Sequence, residues 1–296
     1  MAQLYTIENQ EIKVTITDQG AEMISLIGKA DNTEYLWQGD PTYWTGHAYN
    51  LFPICGRLTE GKYTYRGNTY EMNLHGFFRK SHVDMYEQGD DFISFRMVDS
   101  EATRKIYPFG FDFTLTYTLV ENTVVTTFDI TNTGDNELIF AVGGHPGFNL
   151  PMGGEGVFED YYLEFANVKP CQRLVMSATC YYTGANEDFP LKDGKVIELR
   201  HDLFVNDAIF LTGSDREISL KSKKNDRAVT VKFSDKMVNL GLWQKPNTDA
   251  PYVCIEPWTG VPAYDGKIDD FATKNLFTHL KAGETYENDF SITITE

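Results

Sequence analysis

The sequence predicts an all-β protein, a large antiparallel β-sandwich with few short helices. Short segments in which large apolar and polar residues alternate recur along the chain, as expected for strands with one buried face. Turns rich in Gly, Asn and Asp separate these segments, and no long window repeats its apolar residues with the period of a helix. With 296 residues and 42% hydrophobic content, the chain is expected to form one domain over residues 1–296.

The clearest hairpin lies near the middle of the chain. In residues 113–119 (FTLTYTL) four large side chains alternate with three threonines. Glu121 and Asn122 predict a turn, and residues 124–130 (VVTTFDI) predict the returning strand. The large residues of the first strand are therefore expected to face the core.

The same alternation predicts strands elsewhere. These are residues 12–17 (IKVTIT), 62–72 (KYTYRGNTYEM, with a turn at Gly67-Asn68), 91–98 (DFISFRMV), 217–233 (EISLKSKKNDRAVTVKF) and 290–295 (FSITIT). Residues 41–47 and 268–276 are each expected to hold a helical turn or two. In a sandwich, one sheet face or the loops at its edge must then carry the chemistry.

Composition narrows the classes of partner. The formal net charge is −17, and such a surface repels phosphate backbones and anionic lipid, so neither nucleic acid nor a membrane is expected as a partner. A neutral small molecule fits better than a charged one, although a local basic pocket can exist within an acidic total.

The chain has the composition of a cytoplasmic protein. Its start lacks the basic and apolar stretches of a secretory leader. Four scattered cysteines form no CxxC pair, which predicts reduced thiols; they are Cys55, Cys171, Cys180 and Cys254.

Two largely apolar segments, residues 50–58 (NLFPICGRL) and 73–80 (NLHGFFRK), each include a polar residue that is unusual there. A buried guanidinium needs a partner, so Arg57 either forms a structural salt bridge or faces a cleft. His75 is either a hydrogen-bonded core residue or part of a site. The cations that follow it, Arg79 and Lys80, are either surface charges or ligands of a phosphate.

Residues 143–151 (GGHPGFNLP) place a histidine between a pair of glycines and a proline. The glycines allow a ligand to approach the backbone closely. Pro146 restricts the residue before it to extended conformations, so the imidazole of His145 should point in a defined direction. Phe148 could add an apolar wall. The alternative is a turn at a strand end with an exposed histidine.

Two further segments supply carboxylates. In residues 252–260 (YVCIEPWTG), Glu256 ends an apolar strand, where a carboxylate has either a raised pKa or a close partner, and Trp258 offers a flat surface for a sugar. A surface glutamate is the alternative. In residues 201–211 (HDLFVNDAIFL), Asp207 either accepts hydrogen bonds from a polyol or begins a strand through an Asx turn.

Several chemistries lack their sequence signatures. The candidate metal ligands His75, His145, Asp207 and Glu256 show no HxxxH or HExxH spacing. The chain also has neither a nucleotide-binding glycine loop nor a GxSxG nucleophile motif. We expect no metal and no cofactor.

Taken in order, NLFPICGRL, NLHGFFRK, GGHPGFNLP, HDLFVNDAIFL and VCIEPWTG resemble the aldose 1-epimerase (galactose mutarotase) family, in particular its bacterial mutarotase-related branch. The resemblance covers essentially the whole chain. It implies a large β-sandwich with a cleft on one concave sheet, and interconversion of the α and β anomers of a free hexose, with galactose or glucose as the expected substrate.

The resemblance also implies roles for the unusual residues. His145 matches the general acid and Glu256 the general base. His75 matches a second active-site histidine, whereas Arg57 and Asp207 match residues that hold the substrate.

Other residues of the motifs are less fixed by the resemblance. Trp258 or Phe148 would pack on the apolar face of the sugar. Better-known members have an aromatic residue where Gly147 stands here, which implies a looser pocket at that position. Trp243 and Gln244 are assigned to neither the cleft nor the core.

The expected proton chemistry depends on one acid and one base. A histidine has a reference pKa of about 6.5, and we expect the nearby Glu256 to raise the pKa of His145 so that the ring is charged at neutral pH. An acid–base pair of this kind predicts a bell-shaped pH–rate profile.

Three alternatives stay open. A non-catalytic sugar sensor or carrier would keep Arg57, Asp207 and the aromatic residues but would not need both His145 and Glu256. A glycosidase or lyase would more often use two carboxylates. A mutarotase acting on a modified or phosphorylated sugar would need a cationic clamp. A homodimer is also allowed by the sequence.

Overall fold

The computed structural model describes residues 2–296. These residues form 24 strands, one α-helix and six short 3-10 helices. The strands are β1 (Leu4–Glu8), β2 (Ile12–Thr17), β3 (Met23–Gly28), β4 (Thr33–Glu34), β5 (Ala48–Leu51), β6 (Lys62–Tyr65), β7 (Asn68–Glu71), β8 (Asp84–Gln88), β9 (Phe92–Val98), β10 (Phe111–Val120), β11 (Thr123–Asn132), β12 (Leu138–Phe140), β13 (Gly143–Asn149), β14 (Tyr161–Phe165), β15 (Cys171–Met176), β16 (Tyr182–Phe189), β17 (Val196–Glu198), β18 (Ile209–Thr212), β19 (Glu217–Ser222), β20 (Ala228–Phe233), β21 (Asn239–Trp243), β22 (Tyr252–Trp258), β23 (Thr278–Leu280) and β24 (Thr285–Thr295). The helices are α1 (Glu101–Ile106) and the 3-10 segments Thr59–Gly61, Phe78–Lys80, Met152–Gly154, Phe158–Asp160, His201–Phe204 and Phe271–Thr273.

Two large sheets form the body of the protein. One has nine strands in the order β17-β14-β19-β20-β24-β11-β10-β9-β8, and the other has seven in the order β16-β15-β18-β21-β22-β13-β5. Smaller sheets, β1-β2-β3-β4, β6-β7 and β12-β23, flank them. The inner faces meet closely, because a Cβ atom at Gly144 on β13 would lie 2.5 Å from the Phe290 ring on β24. The predicted antiparallel β-sandwich is confirmed.

The predicted central hairpin is also confirmed. β10 ends at Val120 and β11 begins at Thr123, so Glu121 and Asn122 form the turn. The four large residues of residues 113–119 are at most 3% exposed, whereas the threonines between them are partly exposed. Each such side chain contributes about 1.5–3 kcal/mol through burial, so this alternation anchors β10 in the core.

Two local predictions need adjustment, and a third, the helical turn within residues 268–276, is confirmed. The β6–β7 turn consists of Arg66 and Gly67, one residue earlier than predicted, and both residues have positive φ angles of 51° and 79°, as a tight type I′ hairpin requires. Residues 41–47 form turns rather than a helix, whereas residues 268–276 contain the 3-10 helix Phe271–Thr273.

Helix α1 was not predicted, although the sequence carries its start signal. The side chain of Ser100 accepts a hydrogen bond from the backbone of Thr103, and the Thr103 side chain accepts one from the backbone of Ser100. This reciprocal cap stabilises a helix of only six residues, too short to show a helical period. Among residues 2–296, no helix has the length and apolar character needed to cross a membrane.

Candidate active site

Strand register brings the two predicted proton-transfer residues together. On the antiparallel pair β13–β22, Gly143 lies opposite Trp258 and Gly147 lies opposite Cys254. The same register places His145 directly across from Glu256. Residues that face each other across a strand pair project from the same side of the sheet, so the imidazole and the carboxyl group share one face.

A cavity of about 230 Å³ opens on this face of the seven-stranded sheet. Six of the seven predicted site residues line it, and these are Arg57, His75, His145, Asp207, Glu256 and Trp258. The other lining residues are Trp44, Tyr49, Gly56, Leu74, Arg79, Met176, Cys180, Asn206, Ala208, Phe210, Trp243 and Pro262. Segments far apart in sequence therefore converge on one small-molecule cavity.

The pair formed by His145 and Glu256 is nearly sealed from water. His145 Nε2 lies 3.4 Å from Glu256 Oε2, and the two side chains are 8% and 2% exposed. Burial lowers the pKa of His145 to about 3 and raises the pKa of Glu256 well above its usual value, with Asp207 as a smaller cause. Burial thus favours the state in which both groups are neutral, with the one transferable proton on Glu256, over the state in which both are charged.

This result corrects the expected charge of His145. We expected the carboxylate to raise the imidazole pKa, but loss of water around both groups outweighs that attraction. Desolvation penalises the charged form of an acid and of a base alike. The ionic form, with the proton on His145, differs from the neutral form by one proton transfer.

His75 is held in a single tautomer. The backbone N–H of Gly56 donates a hydrogen bond of 3.1 Å to Nδ1 of His75, so the neutral ring carries its proton on Nε2. Burial, followed by the charges of His145, Arg79 and Arg57, holds the pKa of His75 well below its usual value. The ring therefore stays a neutral hydrogen-bond donor, and its centroid lies 5.3 Å from that of His145.

Arg57, Asp207 and Trp243 form a connected group on the cavity wall. Arg57 Nη2 donates to Asp207 Oδ2 at 3.1 Å, and Trp243 Nε1 donates to Asp207 Oδ1 at 2.7 Å. Arg57 is thus both paired with a carboxylate and exposed to the cavity, so the two alternatives for it are not exclusive. Asp207 has a φ of 76°, a strained value for a residue other than glycine, fixed here by its two donors.

Trp243 and Gln244 occupy different environments. Trp243 lines the cavity. Gln244 is fully buried behind it, where its amide donates to the carbonyl of Ala250 at 3.0 Å and contacts His201 Nδ1 at 2.7 Å. Neighbouring residues of a strand end point to opposite sides of the sheet, which accounts for the difference.

The prediction that Phe148 lines the site is wrong. Phe148 is completely buried in the main core and does not reach the cavity. It lies three positions after His145, and an odd spacing along a strand turns a side chain to the opposite face. Trp258 is two positions after Glu256, an even spacing, and it does line the cavity.

Two aromatic residues of the site come from a segment that carried no signal. The ring of Trp44 lies 4.9 Å from the imidazole of His145 at an interplanar angle of 30°, and Tyr49 lies opposite His145 on β5. A Cβ atom at Gly147 would lie 2.9 Å from the Trp44 ring. Trp44 therefore fills the space above Gly147, and the looser pocket expected there does not exist.

The two cations after His75 differ in location. Arg79 is partly buried and lines the cavity, whereas Lys80 is exposed and does not contribute to the lining.

A buried ion pair supports the wall that carries Pro262. Lys274 Nζ donates to Asp269 Oδ2 at 2.6 Å, and the two side chains are 1% and 2% exposed. The same ammonium group donates to the carbonyl of Pro262 at 3.3 Å, and the next residue, Ala263, donates its N–H to the carbonyl of Arg57 at 2.9 Å. The buried ion pair thus connects, through Pro262 and Ala263, to the backbone of the cavity residue Arg57.

Only one group of three potential metal ligands lies close together in residues 2–296, namely His145, Cys254 and Glu256, with ligand atoms within 4.8 Å of one another. Metal ligands must be deprotonated, whereas burial raises the pKa of both the Cys254 thiol and the Glu256 carboxyl group. This donor set therefore favours protons over a cation, and the absence of a metal stays a prediction.

Comparisons with known proteins agree with the observed fold. A family model described as aldose 1-epimerase matches residues 3–293. The protein LacX of Lactococcus lactis subsp. lactis, encoded on a plasmid, is 30% identical, and the match covers 97% of this chain and 98% of LacX. A galactose mutarotase related enzyme of Lactobacillus acidophilus has a similar structure, with a TM-score of 0.93, 36% identity and coverage of 99% of this chain and 98% of that chain. A galactose mutarotase-like protein of Lactobacillus casei also gives a TM-score of 0.93, with 32% identity and coverage of 99% and 100%.

Proposed function

The chain belongs to the aldose 1-epimerase family, and from this premise we propose that it interconverts the α and β anomers of a hexose by acid–base ring opening and closure. The observation that carries the proposal is the buried contact of 3.4 Å between His145 Nε2 and Glu256 Oε2 at the floor of a cavity of sugar size. In this proposal both groups exchange protons with a sugar held against them.

The reaction needs no proton from solvent. Glu256 takes the proton of the anomeric hydroxyl while His145 gives its proton to the ring oxygen; the bond between C1 and the ring oxygen breaks, and C1 becomes an aldehyde. Rotation about C1–C2 presents the other face of the aldehyde, and closure reverses both transfers. Opening converts the ionic form of the pair into the neutral form that burial favours. Sugar hydroxyls that donate to the carboxylate stabilise the ionic form before opening.

The other lining residues bind and orient the sugar in this proposal. Arg57, Asp207 and the Nε2–H of His75 bind hydroxyl groups and the developing aldehyde oxygen, and Trp258 packs against the apolar face of the ring. Galactose or glucose is the expected sugar. The proposal also includes action without a metal or cofactor, a single domain and a homodimer. It includes a cytoplasmic location as well, with which the four free cysteines agree.

The first experiment follows anomer exchange. Freshly dissolved α-galactose and α-glucose are mixed separately with the purified protein, and optical rotation is recorded against time. We expect rapid equilibration with the wild-type protein, and a loss of at least about 100-fold in rate for His145→Asn and for Glu256→Gln, since a positioned acid or base contributes about 10²–10⁴-fold.

Matched variants separate loss of chemistry from loss of structure. His82→Asn and Glu71→Gln make the same chemical changes at exposed positions and should keep wild-type rates. Folded wild-type protein that accelerates neither sugar, nor any other sugar of a panel, would refute the epimerase and favour the sugar sensor. Full activity in either active-site variant would refute the assigned pair.

A further inference from the structure

The cavity contains one cation without a counter-charge. Arg79 Nε donates to the carbonyl of Leu74 at 3.2 Å, and its guanidinium carbon lies 4.9 Å from the centre of the Tyr49 ring. No carboxylate of residues 2–296 lies within ion-pair distance of Arg79. The guanidinium is thus held in place by a neutral carbonyl and a ring face, while its charge remains available to a ligand.

The remaining charges of the cavity do not cancel this one. Arg57 is neutralised by Asp207 at 3.1 Å. The only other acidic residue of the lining is Glu256, whose carboxyl group contacts His145 at 3.4 Å rather than Arg79 and whose charged form is disfavoured by burial, which raises its pKa. A protein with a net charge of −17 therefore presents to its ligand one guanidinium, that of Arg79, which pairs with no carboxylate of residues 2–296.

The charge of Arg79 acts on the reacting groups. Burial is the main cause of the low pKa values of His75 and His145, and Arg79 lowers both further. Arg79 lines the same cavity as both rings, so its positive charge favours their neutral forms.

Arg79 also lies at a defined end of the site. β13 has β22 on one side and β5 on the other, so Glu256 and Tyr49 flank His145 on opposite sides. The rings of Tyr49 and His145 are 6.2 Å apart, and Arg79 lies against Tyr49. A sugar whose C1 meets the reacting pair can therefore extend another part of the molecule toward Arg79.

We propose that the natural sugar carries an anionic group away from C1, a phosphate or a carboxylate, which accepts hydrogen bonds from Arg79. The inference rests on the proposed function, because it places C1 at the reacting pair. Guanidinium groups match the planar spacing of oxygens in both anions and form their strongest hydrogen bonds with them. The acidic composition of the chain favours a neutral ligand, whereas the unpaired guanidinium of Arg79 in the cavity favours an anionic one.

Calorimetric binding in phosphate-free buffer tests this inference. The ligands are galactose and glucose, their 6-phosphates, and the corresponding hexuronates. We expect the wild-type protein to bind at least one anionic form at least about tenfold more tightly than its neutral parent. Arg79→Gln should reduce this preference about tenfold, Arg79→Lys should retain part of it, and Lys80→Gln, at the exposed neighbour, should retain all of it. The favoured ligand identifies the anion as a phosphate or a carboxylate.

A salt titration provides a second readout on the wild-type protein, in case Arg79→Gln does not fold. Affinity for the anionic sugar should fall between about 0.05 and 0.5 M salt because ions screen the charge of the partly exposed guanidinium, while affinity for the neutral parent should hold. Equal binding of neutral and anionic sugars, binding of neither, or an unchanged preference in Arg79→Gln would each overturn the inference.

Anomer exchange recorded by NMR on the same samples separates the two proposals. Tight binding of an anionic sugar without exchange of any sugar would support the anionic ligand and refute the epimerase. Exchange of neutral hexoses without any preference for an anionic form would support the epimerase and refute the anionic ligand.

Discussion

At the scale of single residues, the site depends on the removal of water from two titratable groups. His145 and Glu256 were recognisable in the sequence from their motifs, but their protonation was not, because the pKa of each depends on burial by distant segments. Trp44 covers one side of the imidazole, and it comes from a loop without any alternation or motif. The identity of the two candidate residues could be predicted from local sequence, whereas their pKa values depend on the folded structure around them.

The pH dependence of the rate should reflect this burial. The His145 pKa is lowered to about 3, so the pair takes up a second proton, and kcat/KM should fall, only as the pH approaches 3. The pKa of Glu256 is raised, so the alkaline loss should begin well above the usual carboxylate range, when the last shared proton leaves. We expect a bell-shaped profile with an acid limb near pH 3.

The measurement is kcat/KM for anomer exchange from about pH 2.5 to 10, with circular dichroism at each pH to establish that the protein remains folded. An acid limb near the ordinary histidine value of about 6.5 would contradict the role assigned to burial.

At the scale of the single element, β13 contributes side chains to both faces of the seven-stranded sheet. Its odd-numbered positions lie on the side of the sheet that carries the cavity, which His145 lines, and its even-numbered positions, which include Phe148, lie on the side of the core. Alternation was visible in other segments of the sequence, and applying the same period of two to this strand would have placed Phe148 correctly. The glycines and the proline of the segment hid the pattern, since they have no large side chain to mark a face.

Two glycines of β13 should report on these faces separately. A Cβ atom at Gly144 would lie 2.5 Å from the buried ring of Phe290, so Gly144→Ala should cost about 1–3 kcal/mol of stability through overpacking. At Gly147 the Cβ atom would lie 2.9 Å from Trp44, which stacks on His145, so Gly147→Ala should mainly lower kcat/KM.

Urea midpoints and anomer-exchange rates of both variants check this assignment. If Gly144→Ala impaired catalysis with normal stability, and Gly147→Ala did the reverse, the orientation of the strand would be wrong.

The buried ion pair of Lys274 and Asp269, which supports the cavity wall at Pro262, should contribute to stability as a coupled pair. Lys274→Met leaves Asp269 buried without its partner, and we expect a loss of about 3–5 kcal/mol in the free energy of unfolding. The double variant Lys274→Met with Asp269→Leu removes both charges and should recover most of that loss. Denaturant unfolding of the two variants and the wild-type protein provides the comparison; equal stability of the single and double variants would show that the two charges are not coupled.

At the scale of the whole molecule, the order of strands in the sheets was not readable from the sequence. The alternating segments predicted that strands exist, but pairing depends on packing between distant segments. β24 illustrates this, because it lies between β20 and β11 in the interior of the nine-stranded sheet, although it follows all the other strands in the chain. Its alternation was clear in residues 290–295, and its central position was not.

A proline in β24 should therefore impair folding far more than the position of this strand near the end of the sequence suggests. Ser291 is paired with Val125 on one side and with Lys232 on the other. Ser291→Pro removes a donor from a strand hydrogen-bonded on both edges, where proline is essentially absent from proteins. We expect little soluble protein on expression, whereas Ser291→Thr should fold normally. Soluble, active Ser291→Pro protein would show that β24 is dispensable.

The central position of β24 also has a consequence for synthesis. While a ribosome is still translating residues 285–295, β20 and β11 have been made but have no partner between them, and each presents an unpaired edge. Such edges are templates for pairing with other chains, and translation at about 5–20 residues per second leaves them open for a time. Assembly of the nine-stranded sheet thus depends on β24. A premature stop before β24 would leave this sheet in two parts, each with an unpaired edge. We expect such a truncated chain to bind chaperones rather than to fold as a shorter version of the protein.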